Sequence, residues 1–82
     1  MITMTEKPEL SYKEIVVAMR LPVGSTCIEM SIELDIPTET IRSILKRLRD
    51  KTGYRRKSLL TAWADRNQRW LVKEQKRLNG NN

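Results

Sequence analysis

At 82 residues the chain has room for one small domain, which leaves no deep cleft between two lobes. It has no histidine and a single cysteine, which excludes an intrachain disulfide, a cysteine-histidine zinc site and imidazole-assisted catalysis. The net charge is +6 and polarised: residues 1–36 carry three bases and six acids, residues 37–82 thirteen bases and four acids, so the later part favours a polyanionic partner.

Residues 1–9 read as a loose leader, polar and interrupted by Pro8, without the basic-then-apolar layout of a secretory signal. No apolar run approaches the roughly 18 residues needed to cross a bilayer, so the expected location is cytoplasmic, with no membrane partner. A single domain is expected over residues 10–78. Its first helix has a start signal. Ser11 with Glu14 three residues on is a capping box, and Leu10 and Ile15 flank it at the spacing of a hydrophobic staple. The helix carries Ile15, Val16, Ala18 and Met19, and Pro22 with Gly24 ends it.

Thr26 with Glu29 repeats the capping-box spacing, and Met30, Ser31 and Leu34 recur at helical intervals. Cys27 reads as a small buried hydrophobe. Pro37 disfavours a helical backbone at Ile36, so the chain turns over 35–38. Thr38 is the expected cap of a third helix running to about Arg49, with Gly53 closing it. Ile41, Ile44, Leu45 and Leu48 form its apolar stripe; Glu39, Arg42, Ser43, Lys46 and Arg47 lie opposite.

The segment Tyr54 to Trp63 supports two readings. One is a hairpin, with strands near Tyr54–Arg56 and Leu60–Trp63 and a turn near Lys57–Leu59. The other is a helix from Ser58 onward, since Leu60, Trp63, Ala64, Trp70 and Leu71 also fit helical spacing. The hairpin is the expected form. Both readings make residues 65–78 helical and leave 79–82 as a frayed tail. Trp63 and Trp70 read as core or interface anchors. Trp70, Leu71 and Leu78 form a stripe able to pack on the first helix or on a second copy, hence a possible homodimer through the C-terminal helix.

Two short helices joined by a tight turn make a helix-turn-helix, here over residues 26–49. Ser31 is small where the helices approach, Ile36 pins the turn to the core, and Asp35 sits where a left-handed residue is needed. The run Glu29-Met30-Ser31-Ile32-Glu33-Leu34-Asp35-Ile36-Pro37, followed by Thr38-Glu39-Thr40-Ile41-Arg42-Ser43-Ile44-Leu45-Lys46-Arg47-Leu48, resembles the core of winged helix-turn-helix regulators of the MarR-like and IclR-like kind. A weaker likeness extends through Gly53-Tyr54-Arg55-Arg56-Lys57 and Ala64-Asp65-Arg66.

The resemblance implies a mainly α fold: a winged helix-turn-helix with a three-helix core, a short β-hairpin wing and a C-terminal helix. It also implies a bacterial or phage DNA-binding regulator, non-enzymatic, acting on double-stranded DNA without a metal or cofactor. Thr38, Glu39, Thr40, Arg42, Ser43, Lys46 and Arg47 would enter the major groove, while Arg55, Arg56 and Lys57 in the wing would grip phosphates. Arg42 is the candidate for bidentate recognition of guanine. The rival readings are a protein–protein adaptor or inhibitor, which would expose an apolar patch around Trp63 and Trp70, and a replication or recombination accessory with weak sequence preference.

Overall fold

The chain's local signals translate into five α-helices in a computed structural model that describes residues 7–80. The ends expected as leader and tail lie partly outside the described residues, at 1–6 and 81–82. Within them, Pro8 and Leu10 are buried, so the end of the leader packs against the domain.

Helix α1 (Tyr12–Arg20) starts at the capping box. The Glu14 amide donates to Ser11 Oγ at 3.3 Å, and the Ser11 amide donates to Glu14 Oε1 at 2.9 Å. Its buried side is Glu14, Ile15, Val17 and Ala18, so Val17 rather than Val16 points to the core. Helix α2 (Cys27–Leu34) begins at a second reciprocal box between Thr26 and Glu29. It stops where Asp35 turns left-handed, at φ 56° and ψ 47°. The Ile36 amide then donates back to the Ser31 carbonyl at 3.2 Å, and Ile36 is buried, which anchors the turn to the core.

Helix α3 (Thr38–Thr52) does not use Thr38 as its cap. Pro37 holds that position without a side-chain hydrogen bond, and Thr38 is the first helical residue. Proline has its φ already fixed near the required value, here −56°, and its carbonyl accepts the first helical bond, from Ile41 at 3.0 Å. The stripe Ile41, Ile44, Leu45 and Leu48 is buried and continues to Thr52, whose hydroxyl donates to the Leu48 carbonyl at 2.7 Å. The helix therefore runs past Arg49 and ends at Gly53, where φ of 82° favours a residue without Cβ.

The β-hairpin wing is not present. Residues 54–56 are a short connection, helix α4 covers Lys57–Arg66, and no strand occurs among the described residues. A tight hairpin turn needs backbone with φ above zero, and Lys57-Ser58-Leu59 supplies no glycine, asparagine or aspartate for it. The buried positions Leu60, Trp63, Ala64, Asn67 and Leu71 instead recur every three or four residues. Helix α5 (Gln68–Leu78) follows after one residue. At that break Asn67 is buried, with φ −108° and ψ 22°, and its Nδ2 donates to the Trp63 carbonyl at 2.9 Å.

Helix α1 is the centre of the arrangement and packs against each of the other four; α2 also packs on α3, and α4 on both α3 and α5. Trp63 is fully buried and meets Trp70 edge to face, with centroids 6.4 Å apart. Leu71 is buried and Trp70 packs against the same core, while Leu78 is exposed, so the apolar stripe of the C-terminal helix is taken up within the chain at its first two members only.

Candidate nucleic-acid interface

The position of α3 is set by its two sides. Its buried stripe faces α1 and α2, and the helix presents the opposite side to solvent. At 100° per residue, Glu39, Ser43, Lys46 and Asp50 lie along the line directly opposite the stripe, with Arg42 on one flank and Thr40 and Arg47 on the other. Glu39, Arg42, Ser43, Lys46 and Arg47 are exposed, whereas Thr38 and Thr40 are half-buried. The side chains of Arg42, Ser43 and Lys46 make no hydrogen bond or ion pair with any described residue. Three polar side chains thus stand free on about 6 Å of helix, and a helix of about 10–12 Å diameter matches the width of a B-DNA major groove.

Arg47 is engaged elsewhere. Its Nε lies 3.1 Å from Glu14 Oε2, and Lys51 Nζ lies 2.7 Å from Glu14 Oε1. Lys51 also donates to the Glu9 carbonyl at 3.0 Å. Glu14 is buried, so the same carboxylate that closes the first capping box ties the C-terminal half of α3 to the start of α1. Burial by itself pushes the Glu14 carboxyl up. The Lys51 hydrogen bond, the Ser11 amide and the charges of Lys51 and Arg47 together outweigh it, and the carboxyl is held below the usual glutamate value.

A depressed carboxylate contributes stability that is fully present above its unfolded value, near about pH 4.3, and is lost as pH falls through the lower folded value. Glu14→Gln is therefore expected to cost about 1.5–3 kcal/mol at neutral pH, the range for hydrogen bonds to a charged group. It should also flatten the stability profile below about pH 4.3. Chemical denaturation of both proteins across the acid range checks this; an unchanged profile would mean that the cluster contributes nothing to folding. Lys51 was not among the sequence-derived candidates. Its partner lies 37 residues away, and no local pattern records a contact of that range.

Arg55, Arg56 and Lys57 are all exposed. They occupy the connection after Gly53 and the first turn of α4, past the C-terminal end of α3. Lys57 borders a hollow with Leu21, Gly24, Ser25, Ser58 and Thr61, beside the α1–α2 turn. Arg56 is the N-cap of α4 and no side chain caps that end. Cations beside the positive end of a helix dipole are locally unfavourable, and an anion there would relieve the cost.

Trp63 lies inside as a core anchor, and Trp70 is half-buried against the same core. Tyr54 is half-buried; its hydroxyl accepts from Arg66 Nη2 at 3.1 Å, and the guanidinium carbon lies 5.9 Å from the ring centroid. Cys27 is half-buried against the core. No group of residues able to hold a metal ion occurs among the described residues, and no helix among them is long and apolar enough to cross a membrane. No family model, curated protein or solved structure matches the chain.

Proposed function

We propose that the chain is a sequence-specific, double-stranded-DNA-binding regulator of the bacterial or phage kind, with α3 as its recognition helix. The observation that carries this reading is the free, exposed set Arg42, Ser43 and Lys46 on the second helix of a helix–turn–helix arrangement. Arg42 is the residue assigned to a guanine edge, because its guanidinium fork matches the O6 and N7 acceptors. Ser43, Glu39 and Lys46 are assigned to neighbouring base edges or phosphates, and Thr38 and Thr40 to the groove margin. Arg55, Arg56 and Lys57 take the phosphate-gripping role from a loop and helix start instead of a wing. Arg47 orients α3 through Glu14 and reaches phosphate only as a secondary role.

For the adaptor reading, the tryptophans form no patch, since Trp63 is buried and Trp70 half-buried; the exposed apolar pair lies instead on α2, at Ile28 and Ile32. Selection of bound duplexes from a random DNA pool tests the proposal. The expected result is enrichment of one short motif containing a guanine. Retention of DNA without enrichment favours the replication or recombination accessory, and no retention at low salt favours the adaptor.

A further inference from the structure

Helix α2 carries an outer face that the core does not use. Ile28 and Ile32, one turn apart, are 64% and 76% exposed and point directly away from buried Met30. Glu29 and Glu33 flank them on one side, and Asp35 follows at the end of the helix. Arg20 lies 3.7 Å from Glu33 on the α1 side, so an acidic excess remains. An exposed apolar pair bordered by one sign of charge can be covered by an apolar surface rimmed with the opposite charge. Two copies of this face are poor partners for each other, because they would bring the same acids together.

The complement is on the same chain. The outer face of α5 presents Val72, 38% exposed, with Arg69, Lys73 and Lys76 along one flank. These residues and Gln68 line a shallow hollow of about 370 Å³. The aliphatic stems of long basic side chains give such a hollow apolar walls while their charges stay at the rim. An isoleucine side chain matches walls of this kind, and acids beside it meet the basic rim. Arg69, Lys73 and Lys76 have no partner among the described residues. Helices α2 and α5 do not pack on each other within one chain, so the two faces are not joined internally.

We infer that the α2 face of one copy docks on the α5 face of a second copy, Ile28 and Ile32 against Val72, Glu29 and Glu33 toward the basic rim. The two faces differ, so the contact is head-to-tail and a joined pair still offers one free face of each kind, α5 on one copy and α2 on the other. Association then proceeds past a dimer unless the rotation closes a ring. The contact does not depend on DNA. If α3 also binds DNA as proposed above, copies joined in this way would follow one another in the same orientation, on direct repeats.

Sedimentation of the full chain without DNA, at high micromolar concentration and low salt, tests the inference. The wild type is expected to form concentration-dependent species larger than a dimer. Ile32→Glu and Lys73→Glu should each sediment as monomers with unchanged circular dichroism, since both positions are exposed. An equimolar mixture of the two should form a dimer and nothing larger, because one variant keeps an intact α5 face and the other an intact α2 face. A monomeric wild type overturns the inference, as does a mixture that stays monomeric. Any self-association of Lys73→Glu alone also overturns it, since that would place the contact on a different surface.

Discussion

Trp63→Ala is expected to lower stability by about 3–5 kcal/mol, the range for truncating a buried large aromatic. The side chain is fully buried and meets Trp70 edge to face. Removing it opens a cavity at the junction of α4 with its neighbours and deletes the partner of the second indole. A domain of this size has only about 5–15 kcal/mol in total, so the variant should be partly unfolded near physiological temperature. Thermal melting followed by circular dichroism checks the result. An unchanged midpoint would mean that Trp63 is not a core residue and that α4 is placed wrongly.

Binding of duplex DNA is expected to weaken steeply with salt. Lys46, Arg55, Arg56 and Lys57 are exposed cations without an intramolecular partner among the described residues. If they neutralise about four phosphates, the log–log slope is about −3.6, and a rise from about 50 to 200 mM salt costs roughly two orders of magnitude in affinity. Arg47 is not counted, because Glu14 already holds it. Titrations at several salt concentrations measure the slope. A flat response would remove the phosphate contacts and, with them, the role of the residues after Gly53.

The features that were legible in the sequence depend on near neighbours. Both capping boxes join residues three apart, and both form as read at Ser11 and Thr26. The left-handed turn at Asp35 and the stop at Gly53 follow from the few residues that tolerate positive φ, and the stripe from Ile41 to Leu48 follows from helical period alone. Residues 54–63 were misread because a short apolar run fits strand and helix equally. The periodicity that decides for a helix passes through Asn67, a polar residue where an apolar one is expected. Its side chain is accommodated by bonding to the Trp63 carbonyl, a solution that composition does not announce.

Of the candidate site, the free face of α3 was legible because it lies opposite a strong stripe. The engagement of Arg47 was not, since it depends on Glu14, 33 residues earlier. The exposed Ile28 and Ile32 also escaped notice: their residue type alone points inward, and only the packing of Met30 and Ile36 turns them out.

In the proposed complex α3 reads bases while the residues after it grip the backbone. The most direct measurement compares Arg42→Ala with Arg55→Ala on the selected motif and on random duplex, each at two salt concentrations. Arg42→Ala is predicted to cost about 1–3 kcal/mol on the motif, to relax preference at one base pair and to change random binding far less. Arg55→Ala is predicted to weaken both duplexes by similar factors and to make the salt slope shallower by about one unit. Equal loss on both duplexes for Arg42→Ala would contradict the claim, because Arg42 would then be a phosphate contact and α3 would not be reading sequence through it.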